Sequence, residues 1–119
     1  MPANTFALPQ LTTTTATPVF GGILTVPAAG LARLDVLVAA RAAGGDMSVW
    51  RLERSAKRIG TAAPVFIGTA PAAIRENDVG AAAWALVVAL SGNVIGIQAT
   101  GAVGVTIFWR ATGRVLTTT

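Results

Sequence analysis

The chain has no cysteine and no histidine. Without cysteine it can form no disulfide bond and has no thiolate nucleophile, and without histidine it lacks the commonest general base and metal ligand. Ser-His-Asp and Cys-His catalytic arrangements are therefore excluded, and a zinc site would have only carboxylates as ligands. We expect a protein that is not an enzyme and that holds no cofactor and no metal ion.

Charged residues are also scarce. They make up 12% of the chain, whereas about 25% is usual for soluble domains. Hydrophobic residue types reach 53%, so a monomer would leave a large apolar area in water, and such areas usually mark contact surfaces. The composition favours a chain that covers part of its surface with copies of itself or with other proteins. The alternative is a small alanine-rich monomer.

The carboxylates offer one remaining catalytic arrangement. Glu76 and Asp78 lie beside Arg75 in one polar run, and paired carboxylates serve glycosidases or, with backbone oxygens, a weak cation site. No calcium-loop spacing surrounds them, and a solvated loop between strands is the simpler interpretation. We take Arg75, Glu76 and Asp78 as candidates for loop contact with a partner. Segment 101–104 lacks the lysine and the helix that a phosphate-binding loop requires.

Nucleic acid and membrane are not expected partners. The formal net charge of +4 permits nucleic-acid contact without requiring it, and strand alternation would divide the basic residues of 51–58 between two faces. No charge occurs in residues 79–109, but Ser91-Gly92-Asn93 interrupts this stretch, which indicates two strands joined by a turn rather than one membrane helix of about 20 residues. The first ten residues have no basic and apolar signal-peptide pattern.

Short alternating apolar segments follow one another along the chain, with Gly, Pro and Asn between them. A spacing of roughly 10 residues between such segments is typical of a β-sandwich or barrel. We predict an all-β fold, a single antiparallel β-sandwich of jelly-roll-like type. Aromatic and aliphatic residues in the alternating sets are the predicted core anchors, namely Trp50, Trp84, Ile107 and Trp109.

Residues 31–41 fit two patterns. As a helix, Leu31, Leu34, Leu37 and Val38 share one face; as a strand, every second residue from Leu34 is apolar. Periodicity does not decide between them over so short a run. The flanking glycines and the β character of the rest of the chain favour a strand.

The first ten residues form a predicted extended N-terminal arm, followed by one domain over residues 11–119. The arm contains Pro2 and Pro9 and has no periodicity, so we expect it to become ordered by packing on a partner. The β-branched run that starts at Leu11 suits an edge strand. The predicted partner contacts are Phe6, Leu8, Leu11 and Thr13.

The second half of the chain carries a recurrent packing pattern. Trp84 lies on an aromatic strand, residues 91–93 form a polar tight turn, and a closing segment contains Ile95, Ile97, Gly101, Gly104, Thr106, Ile107, Trp109 and Ala111. Upstream, Val38–Arg41 and Trp50–Arg54 flank a glycine-rich turn. From about residue 20 onward this pattern resembles the small β-sandwich domains of tailed-bacteriophage virion proteins.

The resemblance implies a structural role in a virion. A domain of this size behind a short arm resembles the stand-alone members of that family, which implies a capsid decoration (cement) protein on the capsid surface. Such a protein would form a homo-oligomer, with a trimer expected, and would stabilise the head by contacts with the major capsid protein. The alternative is a receptor-binding module of a tail fibre or baseplate, which would bind through residues 75–78.

Overall fold

The computed structural model describes the backbone of residues 4–7 and 10–119 and the side chains of residues 10–119. The strands of this part are β1 (Asn4–Ala7), β2 (Leu11–Thr13), β3 (Val19–Thr25), β4 (Leu31–Ala42), β5 (Met47–Lys57), β6 (Val65–Phe66), β7 (Ile74–Asn77), β8 (Ala85–Ser91), β9 (Val94–Thr100) and β10 (Ile107–Thr118). A single 3-10 turn, Val79–Ala81, lies between β7 and β8. No helix in this part of the chain has the length and apolar character of a membrane span.

Two antiparallel sheets make up the fold. The larger has the order β1-β10-β4-β5-β6, with β2 also pairing with β10 and β7 with β5; the smaller has the order β3-β9-β8. The predicted all-β class is confirmed, and two antiparallel sheets are consistent with a β-sandwich. The molecule measures 46 × 25 × 24 Å, and its long axis matches strands of 12 residues, which extend about 40 Å.

Strong alternation sets the inner and outer faces of the larger sheet. In β4 the even-numbered residues from Ala32 to Ala42 are all buried, whereas the odd-numbered residues are partly or fully exposed. Residues 31–41 therefore form a strand, not a helix, and they pair with β5 on one side and β10 on the other. The apolar residues in this alternating set face the smaller sheet and contribute to the core.

Three tryptophans occupy the centre of the core. Trp109 on β10 stacks on Trp50 of β5 with ring centroids 5.4 Å apart, and Trp84 packs on Trp109 at 6.2 Å in a tilted arrangement. β4 separates the two stacked rings, and Ala40 of β4 pairs directly with Trp109. Because Ala40 is small, the rings can meet above it. Trp50, Trp84, Ile107 and Trp109 are each no more than 3% exposed.

The Trp109 ring also holds β2 against the sheet. Its Nε1 donates a hydrogen bond of 2.9 Å to the Thr13 hydroxyl, and both residues are buried. Gly101 lies against this hydroxyl so closely that a Cβ at position 101 would overlap the Thr13 Oγ1 atom. A polar ring atom in the core needs such a partner, since an unsatisfied buried donor costs about 1–3 kcal/mol.

Two local features differ from the sequence-based expectation. The polar run that contains Arg75, Glu76 and Asp78 was expected as a solvated loop, but β7 forms there and pairs with residues 48–51 of β5. The loop between β8 and β9 has two residues rather than three, because Ser91 pairs with Val94. Gly92 adopts a φ of 57° there, as the first central residue of a type II′ turn does.

Replacing Thr13 with valine tests the buried hydrogen bond. The variant keeps the side-chain shape but leaves the Trp109 N–H without an acceptor, so we expect a loss of about 1–3 kcal/mol of unfolding free energy. Chemical denaturation measures this loss. The matched control is Thr12→Val on the exposed side of the same strand, which should stay within about 0.5 kcal/mol of the wild type. An equal loss in the Trp109→Phe background would contradict the assignment, since no ring donor remains there.

Candidate functional site

The larger sheet turns one broad face away from the smaller sheet. We call this the outer face: the odd-numbered residues of 31–41 and 47–57, the even-numbered residues of 108–118, and residues 74 and 76, all placed in common rows by the strand register. Three central strands of 11 or 12 residues give it a length of about 40 Å, and five strand positions give a width of about 20 Å. Its area is on the order of 800 Å², close to what one partner contributes to a standard protein–protein interface.

Large apolar side chains are exposed on the outer face. Leu37 is 52% exposed, Met47 50%, Val49 37% and Ile74 63%. Leu37 and Ile74 flank Arg51 in one row of the sheet, and Val49 lies in the next row. Single exposed apolar residues are ordinary, whereas a group on one flat face indicates a contact surface.

Charge is concentrated on the same face. Of the chain's 9 basic and 5 acidic residues, the register places six basic and three acidic residues there: Arg33, Arg41, Arg51, Lys57, Arg110, Arg114, Asp35, Glu53 and Glu76. The strands of the smaller sheet contain no charged residue. The outer face is therefore the charged side of the molecule.

A short ion-pair network occupies the middle of the outer face. Arg33 lies 3.2 Å from Glu53, and Arg51 lies 3.4 Å from Asp35 and 3.9 Å from Glu53. These groups are about a third or more exposed, and such pairs contribute about 0–1 kcal/mol each. The network fixes side-chain positions more than it stabilises the fold.

Three other arginines of the outer face are outside this network. Among residues 10–119, Arg41, Arg110 and Arg114 form no ion pair. Arg41 lies 5.8 Å from the centre of the Phe108 ring. A guanidinium group without an ion-pair partner can bind a carboxylate through two parallel hydrogen bonds.

A shallow depression of about 360 Å³ lies at one end of the outer face. Its lining includes Ala39, Arg41, Met47, Val49, Phe108 and Arg110. Two arginines thus border an apolar floor. This combination suits an apolar side chain of a partner with a carboxylate beside it.

The predicted loop-contact residues lie on and just after β7. Arg75 faces the core: its guanidinium lies 4.8 Å from the centre of the Trp50 ring and donates to the Ala81 carbonyl at 2.8 Å. Asp78 accepts a hydrogen bond of 2.9 Å from the Met47 N–H. Glu76 is exposed and lies on the outer face. Arg75 and Asp78 therefore already have contact partners within the chain.

The predicted partner-contact residues have different environments. Leu11 is half-buried against the core, and Thr13 is buried with its hydroxyl bound to Trp109. Phe6 lies in β1, opposite Gly113 of β10, and Leu8 lies outside the described residues. Partner contact through these residues stays a prediction, and for Thr13 it would require the bond to Trp109 to break.

The acidic residues are the remaining candidates for metal binding or catalysis. No group of three or more acidic residues in the described part of the chain is placed to hold a metal ion. Glu76 and Asp78, the carboxylate pair considered from the sequence, have different environments. Asp78 accepts a hydrogen bond from the Met47 N–H of β5, whereas Glu76 is exposed. The exposed apolar residues of the outer face were not singled out from the sequence. The signal in the sequence was Leu37, an apolar residue in an outward set of β4 that also contains Arg33, Asp35 and Arg41.

Substitutions of two neighbouring acidic residues test whether the segment 76–78 stabilises the fold. Asp78→Ala should lower the unfolding free energy by about 0.5–1.5 kcal/mol, because the Met47 N–H loses its acceptor. Glu76→Ala should change it by less than about 0.5 kcal/mol. Thermal and denaturant unfolding measure both. Equal effects would show that the Asp78 contact has no stabilising role.

No protein-family model matches the chain, and no curated protein matches it.

Proposed function

We propose that this chain is a non-enzymatic structural protein of a bacteriophage virion, a capsid decoration protein that binds the shell through its outer face. The observation that carries the proposal is the outer face itself, with Leu37, Met47, Val49 and Ile74 exposed on a rigid sheet. The sequence resemblance to small virion β-sandwich domains supplies the virion context. Localisation on the capsid surface and the major capsid protein as partner belong to this proposal.

The size and chemistry of the outer face support binding to a large protein surface. Its area of roughly 800 Å² is that of a standard interface. The depressions found on this face among the described residues are open to solvent, so a small substrate there would stay partly in water. Small-molecule sites usually enclose most of their ligand.

The charges of the outer face indicate what the partner surface should contain. Arg41, Arg110 and Arg114 form no ion pair among residues 10–119, so carboxylates on the partner would find unoccupied guanidinium groups. The ion-paired centre needs no counter-charge. We therefore propose a partner surface with acidic groups around an apolar centre.

Assembly and the N-terminal arm belong to the same proposal. We propose a homo-oligomer, with a trimer as the expected form, and an arm of residues 1–10 that contacts a neighbouring subunit. The described part of this segment, β1, pairs with β10 at the sheet edge, from which it could exchange onto a neighbour. We also propose the jelly-roll-like class, which is supported by the alternation of the chain between the two sheets: β2 larger, β3 smaller, β4 to β7 larger, β8 and β9 smaller, β10 larger.

A receptor-binding module of a tail fibre or baseplate remains the second candidate. It would bind through residues 75–78, two of which are engaged inside the chain. For that reason we place it after the decoration role.

Variants of the outer face test the docking role. Leu37→Glu and Arg110→Glu should each weaken binding to phage capsids that the wild-type protein decorates by at least about tenfold, which is 1.4 kcal/mol. Co-sedimentation measures the binding. The control is Val103→Glu, an exposed apolar residue in the turn before β10, which should bind as the wild type does. Equal binding by all variants, or binding only to isolated tails, would contradict the proposal.

Removal of residues 1–10 tests the arm. We expect the intact protein to be an oligomer by light scattering and the shortened protein to bind capsids at least about tenfold more weakly, or by 1.4 kcal/mol. A shortened protein that binds capsids with unchanged affinity would exclude the arm from docking.

A further inference from the structure

One strand edge of the smaller sheet lacks the usual protection against pairing. β8 is the last strand of that sheet and pairs only with β9, in an unbroken register from Ala85 to Ser91. Among the described residues, no other segment forms a hydrogen bond with its free edge. The free edge therefore presents a row of unpaired backbone donors and acceptors.

Natural proteins usually protect such edges by charge, proline, bulges or short length. The other edges of this fold have these devices. β3 contains a bulge between Gly22 and Leu24, and β6 has only 2 residues. β7 has 4 residues, including Arg75 and Glu76. β8 has 7 residues, ALVVALS, with no charge and no proline.

The sequence of β8 is nearly symmetric about its central residue, Val88. If two copies pair antiparallel around a two-fold axis at Val88, Leu86 lies opposite Leu90 of the other copy and Val87 lies opposite Ala89. This register overlaps the strands over their full length and keeps each side chain on its own face of the sheet. A two-fold contact needs a self-complementary patch, and β8 provides one.

The middle of β8 borders an open groove. The groove has a volume of about 360 Å³, lies beside residues 86–88, and its lining includes Phe66, Pro71, Leu86 and Val87. Residues 67–73, on the far side of the groove, are all exposed. An incoming strand would add to the sheet edge and cover Val87, which is 51% exposed.

Charge also favours a second copy as the occupant. The chain has a formal net charge of +4, and six basic residues lie on the outer face, so two outer faces repel each other. The strands of the smaller sheet contain no charged residue, so joining two of these sheets brings no like charges together. Glu53 and Arg54 both line the groove beside β8, so its charged groups are one of each sign and do not favour an acidic partner.

From these observations we infer that β8 is a self-association site, through which two copies form a continuous six-stranded sheet across a two-fold axis. The contact adds to the proposed function, since it leaves the outer face of each copy free. It rests on the self-assembly part of the proposed function and not on the capsid partner. In a trimer, this contact would join subunits of different trimers.

Charges introduced at position 87 test the inference. In the paired register, Val87 of one copy is the diagonal neighbour of Val87 of the other, at about 7–8 Å. Val87→Lys and Val87→Glu should each weaken the dimer at least about tenfold because like charges meet. An equimolar mixture of the two variants should recover pairing, because the charges are then opposite. Sedimentation equilibrium over a concentration series measures each case.

The control is Val103→Lys, which adds the same charge at a residue that is 80% exposed and lies outside β8. It should associate as the wild type does. A wild type that stays monomeric at every concentration, or a Val103→Lys variant weakened as much as Val87→Lys, would overturn the inference. So would a mixture of the two Val87 variants that fails to associate, while circular dichroism shows both to be folded.

Capsid binding separates this inference from the proposed function. If Val87→Lys loses self-association but still binds capsids, both stand as separate contacts. If the wild type pairs through β8 and never binds capsids, the self-association site stands and the decoration role fails.

Discussion

The Trp109 ring is the constraint on which the rest of the fold depends. It contacts Trp50 and Trp84 through its ring faces and edges and binds Thr13 through its only polar atom. These contacts join β5, the segment before β8, and β2 at one point. A chain without cysteine and without metal-binding clusters among its described residues relies on such packing to connect its two sheets.

Charge is divided between the two sides of the molecule. The larger sheet carries nine charged residues on its outer face, and the smaller sheet carries none. Low overall charge therefore does not mean a uniformly apolar surface. It reflects one neutral side, which suits contact between identical copies, and one basic side with exposed aliphatic residues, which suits a different partner.

The sequence predicted the elements that have a strong period of two. β4, β5 and β10 carry apolar residues at alternate positions, and Trp50 and Trp109 in these sets are buried. β8 is apolar except for Ser91, so the turn residues that follow it indicated this strand. β7 could not be recognised, because its residues, IREN, form a strand only through pairing with the edge of β5. Residues 31–41 fit a helix or a strand by their own pattern. They form a strand because they pair with β5 and β10 on either side, and no local pattern reveals this pairing.

The candidate site was harder to predict than the fold. Leu37 and Val49 have the residue types of a core, and only their position in the outward set marks them as exposed. Thr13 has the residue type of an exposed strand, yet the tertiary contact with Trp109 buries it. Both cases depend on which face of a strand meets the second sheet, which is a long-range property of the chain.

The position of β10 has a consequence for the timing of folding. β10 follows every other strand in the chain and lies inside the larger sheet, between β4 and the pair β1 and β2. Its pairing joins residues far apart in sequence, such as Ile107 with Ala42, and such long-range pairing forms slowly. Because β10 also carries Trp109, Arg110 and Arg114, the core and the basic surface are completed in the same step during synthesis. A nascent chain therefore cannot present the complete outer face before its core has closed.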